Sequence, residues 1–149
     1  MGAIESMITF IIPGNPKPQG RPRFFRRGKF VGTYDPDDSK DFKHKVATYF
    51  KASGGSVMEG PISMDMKCIF KRPKRLMTKK SPDGMVPCDK RPDADNLIKA
   101  VLDALNGLAY HDDGQVSCIR VWKVYHEKGG AQRTEIRIYP TVDGVASGI

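Results

Sequence analysis

A chain of 149 residues fits one domain and can bury an adequate core without disulfide or metal staples. With 39% hydrophobic and 28% charged residues it has an ordinary globular composition, and no run approaches the roughly 18 apolar residues that a membrane-crossing helix needs. Lys and Arg number 25 against 17 Asp and Glu, a formal +8, which suits a polyanionic partner because neutralised phosphates release condensed counterions.

The N-terminus lacks a basic segment followed by a long apolar core, so it does not read as a secretory signal. Met7 is expected as the natural start, with residues 1–6 an appended or disordered lead. The three cysteines, Cys68, Cys88 and Cys118, are odd in number and contain no C-x-x-C pair. That argues against a disulfide scaffold or structural zinc and for reduced thiols in the cytoplasm.

Residues 7–12, MITFII, read as a short buried strand, and the proline-rich PGNPKPQGRPRF that follows reads as a loop. Lys17, Arg21, Arg23, Arg26, Arg27 and Lys29 come without an intervening acid, with Phe24 and Phe25 among them; Gly28 suits a hairpin turn. Asp35-Pro36-Asp37-Asp38 has the chemistry of a helix start. Phe42, Val46, Tyr49 and Phe50 follow at helical spacing, expected to face the core, until Gly54-Gly55. Ile62, Met64, Met66, Cys68 and Phe70 alternate with Ser63, Asp65 and Lys67, which predicts a strand with one face buried.

Residues 71–91 form a long polar loop with eight Lys and Arg against two Asp, a formal +6. The apolar stripe Leu97, Val101, Ala104, Leu105, Leu108 predicts a second helix from about Asp95 to Leu108, ended by Gly107. Strands follow at 116–125 and 133–139, expected as an antiparallel pair because their connection is too short for a crossover. The last ten residues read as a tail. The order β, hairpin, α, β, α, β, β describes a mixed α/β (α+β) domain, one sheet covered by two helices.

Chemistry concentrates in the acids. Asp93 and Asp95 are two apart, which directs side chains together on extended backbone but apart on a helix. Pro92 and the incipient helix start argue that Asp93 is still extended, at the positive end of the coming helix. Asp113, after the helix, is the third member. Three converging carboxylates hold a hard cation such as Mg²⁺, which activates water and stabilises the leaving oxygen in phosphodiester hydrolysis. Lys99, one turn after Asp95, is placed to stabilise charge on the phosphate, and Asp103 lies one turn further. Asp112 is an alternative to Asp113. The competing readings are helix caps, an exposed i,i+4 ladder and a turn. His44, His111 and His126 have no metal-ligand spacing.

The stretch Arg91-Pro92-Asp93-Ala94-Asp95-Asn96-Leu97-Ile98-Lys99, continuing through Asp103-Ala104-Leu105 to Asp112-Asp113-Gly114-Gln115-Val116, closely resembles the RusA family of Holliday junction resolvases. The signature there is D-x-D-N-L-x-K, D-A-L, then D-D-x-Q-V. The opening PGNPKPQGRPRF resembles the phage-type branch, and the likeness runs from about Ile8 to Tyr139. It implies a small mixed α/β fold, a homodimer, a requirement for Mg²⁺ or Mn²⁺, and paired nicks in four-way DNA junctions by a bacterial or phage-encoded protein. The family's essential acids fall on Asp93, Asp95 and Asp113 and its essential lysine on Lys99. Asp103 matches a further acidic position. The basic cluster before the first aspartate is interrupted here by Pro92, with more charge at residues 71–80. DNA contacts are expected from Lys17, Arg21, Arg23, Arg26, Arg27, Lys71, Arg72, Lys74, Arg75 and Arg91. The rival readings are a generic or flap-directed nuclease with the same metal site, a DNA-binding protein without catalysis, and a ribonuclease.

Overall fold

The computed structural model describes residues 7–34 and 36–144. The elements in chain order are β1 (Ile8–Pro13), β2 (Arg23–Arg27), β3 (Phe30–Tyr34), α1 (Asp37–Ala52), β4 (Ile62–Phe70), β5 (Val86–Pro87), α2 (Ala94–Leu105), β6 (Val116–Tyr125) and β7 (Arg133–Pro140). Apart from the two-residue β5, this is the order read from the sequence. β2 and β3 form the expected ribbon, a separate two-stranded sheet turning at Gly28, whose φ of 59° favours glycine. The main sheet runs β1-β7-β4-β6-β5. α2 makes the crossover between the parallel neighbours β4 and β6.

The helices cover one face. Phe10 and Ile12 of β1, Met64 and Met66 of β4, and Ile136 and Ile138 of β7 meet Phe42, Val46 and Phe50 of α1 and Leu97, Val101 and Leu105 of α2. Each such side chain contributes about 1.5–3 kcal/mol by leaving water. Phe10 and Phe50 meet edge to face at 5.8 Å. Tyr49, expected in this core, is 36% exposed, because the helix turns it away from the Phe42–Val46–Phe50 stripe.

Three expectations need correction. β6 and β7 run in opposite directions but are not neighbours: β4 lies between them, parallel to β6 and antiparallel to β7. The connection at 126–132 is long enough to step over one strand. β4, flanked on both sides, is buried on both faces; Ser63 and Asp65 are inside as well as the apolar set. The last ten residues do not all form a tail, since Pro140 belongs to β7 and the Thr141 N–H donates to the Pro61 carbonyl at 2.9 Å. The expectations for residues 1–6, Asp35 and 145–149 fall outside the described residues.

The uncovered face of the sheet carries a row of charge. Asp65 accepts from Arg120 Nε and Nη2 at 2.9 and 2.8 Å and from the Tyr139 hydroxyl at 3.3 and 3.2 Å, with Arg137 Nε at 3.4 Å. The Arg120 hydrogen bonds hold the Asp65 carboxyl below the usual carboxylate range, against the opposing effect of burial; the charge of Arg120, then Tyr139 and Arg137, add to the lowering. Cys68, Cys88 and Cys118 are free thiols, and burial pushes that of Cys68 up to about 12. Among the described residues no helix is long and apolar enough to cross a membrane.

Candidate active site

α2 sets the first part of the site. Its N-cap residue is Asp93, extended at φ −70° and ψ 145° as an N-cap position normally is, with no side-chain cap hydrogen bond. The capping alternative therefore does not occupy this carboxylate. Asp95 lies in the first turn, and Asp95, Lys99 and Asp103 line one cleft, consistent with their i,i+4 spacing. Among the described residues neither Asp95 nor Lys99 has an ion-pair partner, so the exposed-ladder alternative does not describe them. Asp103 is different: Lys43 of α1 donates to it at 2.6 Å, tying the two helices together across the cleft.

The second part is a built turn. Asp112 accepts from the Gly114 N–H at 2.9 Å and caps a short 3-10 turn at Asp113–Gln115. Gln115 Oε1 accepts from the His111 and Asp112 N–H groups at 2.7 and 3.2 Å, and its Nε2 donates to the Met58 and Gly60 carbonyls, both at 3.0 Å. These bonds engage one carboxylate oxygen of Asp112 and fix the backbone beneath Asp113, which lines the α2 cleft. Tyr110 packs underneath, fully buried, donating to the Leu102 carbonyl at 2.5 Å. Burial pushes its phenol up, and the charges of Asp113, Asp103 and Asp112 push it further, which marks these acids as its electrostatic neighbours.

The loop after β1 forms the opposite wall. Gln19, Gly20, Arg21 and Pro22 line the cleft with Lys43, Asp95, Lys99 and Asp113. The loop is seated from both sides: the Gln19 N–H donates to the Asn96 carbonyl at 2.8 Å, and the Gly20 N–H to Ser39 Oγ at 2.7 Å. A Cβ at Gly20 would stand 2.6 Å from Ser39 Oγ and 2.8 Å from Pro36 Cγ, so close approach requires glycine here.

The structure gathers only part of the predicted set. Asp95, Lys99, Asp103, Asp113 and Arg21 share the cleft. Asp93 lines an adjoining depression with Lys17, Arg21 and Arg91; Gln19, Arg21 and Asn96 border both. Among the described residues no three His, Cys, Asp or Glu side chains are grouped as a ready chelate. The chemistry of the donors nevertheless fits a hard divalent cation: the ionisable acceptors lining the cleft are carboxylates, with no thiol or imidazole among them. The carboxylates of Asp95 and Asp113 make no hydrogen bond or ion pair among the described residues.

Among the expected DNA contacts, Arg23, Arg26 and Arg27 lie exposed on β2, and Lys71, Lys74, Arg75 and Arg91 are exposed on the loop. Arg72 is the correction. It is 4% exposed and donates to four carbonyls: Leu76 at 2.7, Gly84 at 2.8, His126 at 3.3 and Pro82 at 2.5 Å. It organises the long loop, which also adds β5 to the sheet beside β6. Sequence reasoning passed over the positioning residues Gln19, Lys43, Asn96 and Gln115. Three stand inside the quoted motifs, but only the fold shows which groups they hold.

Residues 13–139 match the family described as Endodeoxyribonuclease RusA. This chain belongs to the RusA family. It is also similar to the uncharacterized protein YqaN of Bacillus subtilis (strain 168), 38% identical over 137 residues, covering 88% of this chain and 94% of YqaN. RusA membership assigns the protein to the endodeoxyribonucleases, with DNA as the implied substrate. The matched span runs from the end of β1 almost to the end of β7 and includes both walls of the cleft.

Proposed function

We propose that this RusA protein is a divalent-metal-dependent Holliday junction resolvase that works as a homodimer. The observation that carries this reading is the cleft in which Asp95, Lys99 and Asp113 stand together beneath a basic wall containing Arg21 and Lys43. Asp95 and Asp113 would hold the metal, with Asp93 as third ligand from the adjoining depression. A bound Mg²⁺ or Mn²⁺ supplies Lewis acidity and lowers the pKa of an attacking water. Lys99 stabilises the extra negative charge of the pentavalent phosphorus, an interaction strongest in the transition state. Asp103 is accessory: it holds Lys43 at the rim. Asp112 and Gln115 position Asp113 through the turn.

The DNA arms are held by Lys17, Arg21, Arg23, Arg26, Arg27, Lys71, Lys74, Arg75 and Arg91, with Arg72 supporting the loop from inside. One chain carries one such cleft, whereas productive resolution takes two opposed nicks, so two copies related by a two-fold axis meet the requirement.

The test is a synthetic mobile four-way junction incubated with and without Mg²⁺ and the cuts mapped. Symmetric paired nicks that require the metal are expected; equal cutting of linear duplex would reduce the reading to a generic nuclease. Heterodimers of wild-type and Asp95→Asn chains, carrying separate tags, should nick a cruciform plasmid and leave it relaxed. Linearisation at the wild-type rate would refute the paired-nick dimer.

A further inference from the structure

The β2–β3 ribbon contributes no residue to the hydrophobic core, yet it carries Phe24 at 76%, Phe30 at 62% and Val31 at 55% exposure. Its two faces differ. On one, Phe25 meets Phe30 and Tyr34 with ring centroids 5.9 and 6.2 Å apart, and the Arg27 guanidinium lies 5.9 Å from the Phe25 centroid. Gly32 opposes Phe25, and a Cβ there would strike its ring at 2.5 Å. A two-stranded ribbon is marginal alone, and this aromatic cluster braces it from one side. The other face, with Phe24 and Arg26 across from Thr33 and Val31, has no such packing to explain its apolar residues.

Charge and position narrow what that face fits. Residues 21–34 hold Arg21, Arg23, Arg26, Arg27 and Lys29 and no acid. Among the described residues, Asp37 and Asp38 share a depression with Arg23 and Tyr34 at the base of the ribbon, leaving Arg26, Arg27 and Lys29 towards the tip. Arg21 and Pro22 line the carboxylate cleft, so the ribbon springs directly from its rim. At ~3.3 Å per residue, Phe24 stands only ~7 Å along the chain from Pro22.

An apolar aromatic face among cations suits a polyanion that also offers unstacked π-surfaces, as DNA does where its strands part. Paired, fully stacked duplex presents no such faces. We infer that the Phe24–Val31 face of the ribbon is a branch-point wedge, Phe24 stacking on a nucleobase at the crossover while Arg26 on the same face and Lys29 beside the turn hold the flanking phosphates. This rests on the proposed junction activity and assigns the preference for branched over linear DNA to a residue outside the metal site.

The experiment compares wild type, Phe24→Ala and Phe24→Trp for binding to a four-way junction and to a linear duplex of equal length. Binding is measured in Ca²⁺ to prevent cutting, with Mg²⁺ cleavage followed separately. Phe24→Ala should lower the junction-to-duplex affinity ratio at least roughly fivefold, the lower end of a base–aromatic stack. The salt slope should not change, since no charge is lost. Phe24→Trp should restore the ratio. Because Phe24 is largely exposed, none of these variants perturbs the core. An unchanged ratio in Phe24→Ala, with wild type preferring junctions and cutting them, overturns the wedge alone. A shift of Phe24→Ala from dimer to monomer in sedimentation, with the ratio unaltered, assigns the face to a second copy and also overturns it. No junction preference in wild type overturns both the wedge and the proposed function.

Discussion

Replacing Arg72 with methionine should destabilise the protein without removing a DNA contact, although the residue sits in the most basic stretch of the chain. Its guanidinium donates to the carbonyls of Leu76, Pro82, Gly84 and His126. Hydrogen bonds from charged donors contribute about 1.5–3 kcal/mol each, so four set an upper bound near 6–12 kcal/mol. Pro82 and Gly84 belong to exposed residues and their carbonyls can take water once the guanidinium is gone. Leu76 and His126 are more enclosed, and those two bonds bring the expected loss to about 3 kcal/mol at the conservative end. With an unfolding entropy of ~2.1 cal/mol/K per residue over 149 residues, that corresponds to a fall of ~10 °C in Tm. Urea unfolding should show a lower midpoint at an unchanged m-value. The slope of log K against log salt for DNA binding should stay where it was. A stable variant whose salt slope drops by about one would refute the reasoning and make Arg72 a phosphate contact.

Neutralising Lys71, Lys74 and Arg75 together should do the reverse, flattening the salt slope by up to ~2.7 while leaving the urea midpoint in place. Asp93→Asn, Asp95→Asn and Asp113→Asn should each abolish junction cleavage while binding, measured by fluorescence anisotropy, persists, because an amide keeps the shape but loses the charge that holds a cation. Wild-type cleavage by Asp113→Asn would move that ligand position from Asp113 to Asp112, despite its engagement with Gly114. Lys99→Ala should slow single-turnover cleavage at least roughly tenfold with a smaller change in Kd, whereas equal losses would make it only a DNA contact. Asp65 has a folded-state pKa below its ordinary value of 3.8, so its stabilising contribution is complete above that value and is lost as pH falls through the lower folded one. Urea midpoints of wild type and Asp65→Asn should therefore converge on acidification below about pH 4 and stay apart above it; a constant gap would remove the Asp65 ionisation from acid stability.

The elements themselves were legible because their signals are local. Period-two alternation marks β4, a helical apolar stripe marks α2, and Gly28 between two aromatic-basic runs marks the ribbon. The D-x-D-N-L-x-K and D-D-x-Q-V spacings carried the family, and helical geometry alone placed Asp95, Lys99 and Asp103 on one face. None of this required knowing where distant segments meet.

What escaped the sequence depended on distant neighbours. Nothing in β6, β7 or their short connection says that β4 will insert between them, because strand order is decided by which hydrophobic faces pack, not by chain order. The same insertion buries Asp65, which reads as an ordinary exposed position until Arg120, Arg137 and Tyr139 arrive from two other strands. Arg72 and Lys74 look equivalent in a basic run, yet only Arg72 meets carbonyls returning from residues up to 54 positions away. The turn at Asp112–Gly114 is local, but its place is not: Gln115 Nε2 anchors it on the Met58 and Gly60 carbonyls, and Asp113 lines the α2 cleft. The chain determined which side chains can ligate, stack or bind phosphate. Only the tertiary structure decided which had already spent those capacities on the protein itself, since a hydrogen bond to a carbonyl from another segment exists only once the sheet and its loops have closed.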